Sequence, residues 1–312
     1  MATLDPAAAR LAPFLTNCQP DLGGTVADAA EARVMMAGAS LPRSTAPQVH
    51  SVCDREVPGP GDGPLRLRIY HPASIAAPLP AVVYLHGGGW VFGDLDSHDG
   101  VARNLCEGAG CVVVSVDYRL APEHPFPAAF DDARTALAWV AAHPAEIGVD
   151  PARLALVGDS AGANIAAGLV LAGGAPAVAL QVLLYPVTAH DPGTESFRDP
   201  TAHVNLTPAH LRWYWDQYVP DPAQRDDPRV SPLRGRPTAA LPPALVVTAE
   251  CDPLRDEGRA YADALTAAGV PTRHWEAAGT FHGFFRYPDH LPVAAELIAR
   301  TNALIADALD AG

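Results

Sequence analysis

Leu65, Leu67 and Ile69 alternate with Arg66, Arg68 and Tyr70, the period-two pattern of a half-buried strand. Ser51 to Val57 reads as a second strand beside it, with Pro58-Gly-Pro-Gly-Asp-Gly-Pro64 as the turn between them. Further along, the alternation gives way to short continuous apolar runs. These are Ala81-Val-Val-Tyr-Leu85, Cys111-Val-Val-Val-Ser-Val116, Arg153-Leu-Ala-Leu-Val157 and Ala244-Leu-Val-Val-Thr248. Runs of this kind suit parallel strands covered on both faces. Helical stretches lie between them: alanine-rich Ala128 to Ala142, the small-residue segment Ala163 to Leu171, and Gly258 to Ala268. Thr272 to Glu276 reads as the last strand. Strands alternating with helices predict an α/β fold with a mostly parallel sheet of eight strands, flanked by helices.

Two segments depart from the alternation. Residues 1 to about 45 carry helix signals only, and Thr25-Val-Ala-Asp28 reads as a capping box for a short helix through about Met36. Between Tyr185-Pro186 and Pro242-Pro243 there is no good strand. Within it, Thr207-Pro208 starts a helix, with proline at the first helical position after a threonine cap. That helix carries Trp213, Tyr214, Trp215 and Tyr218, so two of the five tryptophans fall in three positions. Some of these rings are expected to pack the helix onto the core, and one or two to face a ligand. The expected organisation is residues 1–45 as the first part of a helical cap and 46–186 as the first part of the core. Residues 187–240 follow as a cap insertion, and 241–312 as the second part of the core.

Composition narrows the class. The 312 residues allow one large α/β domain with a smaller appended part, and 49% hydrophobic residues suffice for its core. A formal net charge of −14 argues against nucleic-acid or anionic-membrane partners. No apolar run is long enough for a transmembrane helix. Met1-Ala-Thr-Leu-Asp5 lacks the basic and apolar regions of a signal peptide. Five cysteines without a CxxC pair read as reduced thiols, giving a cytoplasmic expectation. No metal or cofactor is expected, since the histidines form no HExxH pattern. Asp94, Asp96, His98 and Asp99 come nearest to a metal cluster, and read as a polar loop capping the next helix.

The candidate chemistry centres on Gly158-Asp-Ser160-Ala-Gly162. It fits G-x-S-x-G and lies between an apolar strand and a small-residue helix. A serine at such a turn is held in a strained conformation with its hydroxyl above the sheet edge. Upstream, His86-Gly87-Gly88-Gly89-Trp90 follows a strand directly. Consecutive glycines bare the backbone N–H groups, which can then stabilise charge developing on a carbonyl oxygen. A nucleophilic serine needs a base and the base an orienting acid. In this kind of fold the chain order is Ser, Asp or Glu, then His. Ser160, Asp252 and His282 follow that order, the last two on loops just past strands. His86 reads as a residue holding the glycine loop, His274 lies in a strand and His290 begins the last helix. Among the carboxylates, Glu250 belongs to a strand end, and Asp256 and Glu257 read as first-turn helix acids. Asp252 is the first carboxylate of the loop. In Asp117-Tyr-Arg-Leu-Ala-Pro-Glu-His-Pro-Phe-Pro127 the prolines fix an extended path. That segment reads as scaffold, with Arg119 and Glu123 as a pair holding it.

These stretches together resemble the hormone-sensitive-lipase-like bacterial esterases of the α/β-hydrolases. The matching residues are His86-Gly-Gly-Gly-Trp90, Asp117 to Pro127, Gly158-Asp-Ser-Ala-Gly-Ala-Asn164, Asp252-Pro-Leu-Arg-Asp-Glu257 and His282-Gly-Phe284. They span nearly the whole core in the family's order and indicate the GDSAG branch rather than its GTSAG sister. The resemblance implies the α/β-hydrolase fold with a cap, and an acyl-enzyme carboxylesterase that needs no cofactor. It implies that Gly88, Gly89 and Ala161 supply the oxyanion N–H groups. Tryptophan after the triple glycine departs from the more usual phenylalanine or tyrosine, which bears on pocket shape. Trp90, Trp213, Tyr214 and Phe284 are the candidate substrate-binding side chains. The expected partner is a small ester acylated with a short to medium chain; a homodimer is left open. Two alternatives stay open. Arylformamidases, which act on an amide, share an HGGxW loop. A non-catalytic receptor of the same fold would lack the histidine that His282 provides.

Overall fold

The computed structural model describes residues 3–38, 44–61, 63–72 and 78–310. In chain order the helices are α1 (Pro6–Cys18), α2 (Ala29–Gly38), α3 (Asp99–Ala109), α4 (Ala128–Ala142) and α5 (Pro144–Ile147). They continue with α6 (Ala161–Ala172), α7 (Glu195–Arg198), α8 (Pro208–Tyr218), α9 (Arg255–Ala267) and α10 (Pro292–Asp310). The strands are β1 (Ser51–Pro58), β2 (Pro64–His71), β3 (Leu79–Leu85) and β4 (Val112–Asp117). After them come β5 (Val149–Asp159), β6 (Leu180–Leu184), β7 (Ala244–Cys251) and β8 (Thr272–Phe281). They form one eight-stranded sheet in the order β1-β2-β4-β3-β5-β6-β7-β8. The β1–β2 and β2–β4 pairs are antiparallel, and every later pair is parallel. This is the mostly parallel sheet expected from the strand–helix alternation, in the α/β-hydrolase architecture that the resemblance implies.

Burial explains the two strand patterns. On β2, Leu65, Leu67 and Ile69 are buried, while Arg66 and Arg68 reach out to Asp117 and to Asp54 and Asp96. The continuous runs feed both faces at once. On β3, Ala81, Val83 and Leu85 join the core layer that also holds Ala133, Leu137 and Ile165. Val82 and Tyr84, alternating with them, join the layer that holds Leu105, Leu297 and Ile305. Helices α4 and α6 therefore cover one face, and α3 and α10 the other. Among the described residues, no helix is long and apolar enough to cross a membrane.

Several local expectations are corrected. Asp28, not Thr25, caps α2: its Oδ1 accepts the Glu31 N–H at 2.9 Å. Thr25 instead belongs to a turn in which the Asp21 carboxylate accepts its N–H. Helix α9 begins at Arg255, so Gly258 lies inside it. The last helix begins at Pro292, not His290, because proline suits a first helical position, where its missing N–H costs nothing. Arg119 does not pair with Glu123. It grips the buried Asp132 of α4, while Glu123 pairs with Arg33 of α2. The nearer partner in sequence loses in both cases to one brought up by tertiary packing.

Residues 187–240 hold α7, α8 and short 3₁₀ turns but no strand. Helix α8 touches the N-terminal segment directly, since the Trp213 indole donates to the Ala27 carbonyl at 3.0 Å. Arg33 ties α2 to the glycine loop and to the segment after β4, donating to the Val91 and Ala121 carbonyls.

Candidate active site

Strands β5, β7 and β8 run parallel, so the turns leaving their C-terminal ends emerge on one side of the sheet. Ser160, Asp252 and His282 sit on those turns. Ser160 has φ 53° and ψ −116°, a left-handed strain that costs a non-glycine residue about 1–3 kcal/mol. Its N–H donates to the Leu184 carbonyl at 2.9 Å, which anchors the turn to β6. The Ser160 hydroxyl lies 2.8 Å from His282 Nε2, and His282 Nδ1 lies 2.8 Å from Asp252 Oδ2. A carboxylate can only accept, so Nδ1 carries the proton and Nε2 is left to accept from the serine. Asp252 is fully buried, and its other oxygen accepts the Leu254 N–H at 2.9 Å. The carboxylate is thus fixed from both sides. The Tyr185 ring meets the imidazole edge-on, with centroids 4.9 Å apart.

The glycine loop approaches from β3. Gly88, Gly89 and Trp90 all have positive φ, at 123°, 60° and 61°. The loop is braced by Val91 and Phe92 N–H groups donating to the Gly88 carbonyl, and by Ala121 N–H donating to that of Trp90. Among the described residues, the Gly88 and Gly89 N–H groups have no protein acceptor. The Ala161 N–H is a free donor of the first turn of α6. Tyr214 closes over this loop. A Cβ on Gly89 would lie 2.3 Å from the Tyr214 ring, so only glycine admits the ring there.

The rival candidates have other partners. His86 Nδ1 contacts the Gly87 carbonyl at 2.8 Å and its ring stacks on Tyr118. His274 pairs with the Thr248 hydroxyl, and His290 is exposed. Glu250 accepts the Gly279 N–H, and Asp256 the Ser196 N–H. Glu257 is buried and accepts the N–H groups of Thr188 and Ala189. Of the acidic loop after the glycines, Asp96 pairs with Arg68, and Asp99 with Tyr70 and Arg103. Among the described residues there is no grouping able to hold a metal ion.

Ser160 and His282 open onto a cleft of about 1210 Å³. Trp90 and Tyr214 line it, but Trp213 and Phe284 do not. Trp213 is turned toward Ala27 and stacks on Phe92. Phe284 is buried behind Tyr185 and Phe285. The Trp90 ring itself is spent on packing, stacked 4.4 Å from Tyr218. Residues that the sequence did not single out also line the cleft: Tyr185, Val187, Leu206, Leu211 and Phe285. Tyr185 and Val187 do follow β6 directly, and so belong to the reactive end of the sheet. Asn205 carried no signal. Its amide donates to the His282 carbonyl and accepts from Gln19, which joins α1 to the histidine turn.

Burial pushes the Glu257 carboxyl up to about 8, against the pull of the Thr188 and Ala189 N–H groups. The folded chain therefore holds a proton that the unfolded chain releases near 4.5. Stability from this group is complete below that pH and is lost as pH rises through about 8. Glu257→Gln, which cannot ionise, is expected to flatten the decline of Tm between pH 5 and pH 9. Parallel thermal melts of the two proteins check this, and equal slopes would refute it.

The alpha/beta hydrolase fold family model matches residues 82–286. Carboxylesterase NlhH of Mycobacterium tuberculosis is 41% identical over 299 residues, covering 92% of each chain. Ethyl acetate hydrolase of Pseudomonas putida is 43% identical over 228 residues, 71% of this chain and 72% of that one. The crystal structure of a thermostable esterase from Pseudomonas putida ECU1011 superposes with a TM-score of 0.90 at 33% identity, covering 99% and 98%. The chain belongs to the hormone-sensitive-lipase-like family of the α/β-hydrolases, a family of serine carboxylic ester hydrolases.

Proposed function

We propose that the chain is a carboxylesterase that hydrolyses esters of short to medium acyl chains through Ser160, His282 and Asp252. The observation that carries this reading is the unbroken 2.8 Å hydrogen-bond chain through the three side chains, opening on a cleft beside unpaired N–H donors. His282 Nε2 takes the hydroxyl proton as Ser160 Oγ attacks the ester carbonyl. Asp252 holds the imidazole tautomer and stabilises its positive form. The N–H groups of Gly88, Gly89 and Ala161 receive the oxyanion. His282 then protonates the departing alcohol, and water releases the acyl group by the reverse path.

Residues 1–45 and 187–240 act together as a cap in this reading. The described part of the first segment is joined to the second through Trp213 and Ala27 and through Gln19 and Asn205. The acyl chain lies against Val187, Leu206, Leu211 and Tyr214 of the second segment. Burial of the acyl chain against these side chains sets the expected chain-length profile. Each added methylene should raise kcat/KM by up to about fourfold, from about 0.8 kcal/mol of burial, until the pocket is full. A p-nitrophenyl ester series from two to sixteen carbons is expected to peak at short to medium length, without activation by emulsified triglyceride. A maximum at sixteen carbons, or activation at the oil surface, would overturn the chain-length reading. The ester hydrolase of Pseudomonas putida named for ethyl acetate supports the short end. Turnover of N-formylkynurenine in place of p-nitrophenyl butyrate would favour the amide-cleaving alternative. A receptor would turn over neither.

A further inference from the structure

Asp159 is a carboxylic acid next to the nucleophile that the reaction above does not use. It ends β5 and is 3% exposed. Its Oδ1 accepts the Tyr84 hydroxyl at 2.6 Å and the Gly87 N–H at 2.9 Å. Gly87 immediately precedes Gly88 and Gly89, which line the cleft. A Cβ on Gly87 would lie 2.5 Å from Asp159 Oδ2, so glycine is what lets the carboxyl reach the loop.

The position of this contact matters. Oxyanion stabilisation needs donors from two chain segments to converge on one point. Gly88 and Gly89 follow β3, whereas Ala161 follows β5. The β3–β5 ladder ends at the Leu85–Gly158 pair. One residue beyond it, the backbone no longer joins the two segments, and the Asp159 side chain takes over by binding the Gly87 N–H. The rest of the loop stem is held from elsewhere: the Tyr118 hydroxyl donates to the His86 carbonyl. Of these contacts, the Asp159–Gly87 bond alone links the loop to the residue bonded to Ser160.

We propose that Asp159 is a positioning residue whose carboxyl ties the Gly87–Gly89 loop to the nucleophile turn and so sets the spacing between the two halves of the oxyanion hole. The proposal rests on the esterase reading. What the site demands of Asp159 is acceptance of hydrogen bonds, not charge, since a negative charge beside the hole would oppose the oxyanion. Burial indeed pushes the Asp159 carboxyl upward. The same burial pushes down His98, whose Nε2 lies 3.9 Å from Oδ2. An amide oxygen can accept the same two hydrogen bonds.

The test compares Asp159→Ala, Asp159→Ser and Asp159→Asn by kcat and KM on p-nitrophenyl butyrate. A second readout is the Ki of an aryl trifluoromethyl ketone. Ser160 Oγ adds to the ketone carbon, the proton passes to His282, and the ketone oxygen becomes the oxyanion. The alanine and serine variants cannot reach Gly87. Each is expected to lose about 100- to 1,000-fold in kcat, the loss typical of one oxyanion donor. KM should stay within about threefold, and Ki should rise by the same factor as kcat falls. Asp159→Asn should stay within about tenfold of wild type on both readouts. The serine variant, small and polar, keeps the test valid if alanine fails to fold, as thermal melts will report. Unchanged kcat and Ki in the serine variant would overturn the proposal, as would an asparagine variant as damaged as alanine. Absent wild-type turnover would sink the esterase reading instead, so the two failures are distinguishable.

Discussion

Ser160→Ala is expected to lower kcat for p-nitrophenyl butyrate by about 10⁴- to 10⁶-fold, the range seen when a member of a catalytic triad is removed. The loss is large because nothing nearby replaces the hydroxyl. His282 Nε2 has Ser160 Oγ as its protein partner, and without it can only activate water. The fold should survive. The Ser160 hydroxyl makes no contact that holds the turn, whose anchor is the backbone bond to Leu184. The backbone strain at φ 53° remains with alanine, so Tm should move little. Activity within tenfold of wild type, in protein free of contaminating esterase, would remove Ser160 as the nucleophile.

Asp252→Asn is expected to cost about 10⁴-fold in kcat, as the corresponding change does in a serine protease. The asparagine amide can turn its N–H toward Nδ1. The imidazole then carries its proton on Nε2 and can no longer accept from Ser160. Glu257→Gln should stay within about tenfold of wild type, because Glu257 holds the backbone of Thr188 and Ala189 rather than the histidine. Kinetics of the two variants side by side decide the assignment. A crippled glutamine variant beside an active asparagine variant would transfer the role of the acid to Glu257.

Much of this was legible in the chain. Strand–helix alternation gave the sheet, and the continuous apolar runs marked the strands buried on both faces. The order of Ser160, Asp252 and His282 placed the three candidate side chains on turns at one end of parallel strands, which is a topological consequence and needs no coordinates. The pocket was less legible. Trp213 and Tyr214 are adjacent on one helix, yet Tyr214 covers Gly89 and Trp213 faces Ala27. Successive residues on a helix point about 100° apart, so only the docking of α8 decides which of them meets the cleft. Phe284 follows the histidine turn but points into the core behind Tyr185.

The sequence by itself determined the architecture and the candidate triad, because both rest on signals along the chain: hydrophobic period, turn chemistry and chain order. Tertiary structure alone decided the contacts between distant segments. Arg33 takes Glu123 from Arg119, Asn205 bridges Gln19 to the His282 carbonyl, and Asp159 reaches Gly87 across the end of a ladder. A polar side chain bonds whichever partner packing delivers, and no periodicity along the chain encodes which one that is.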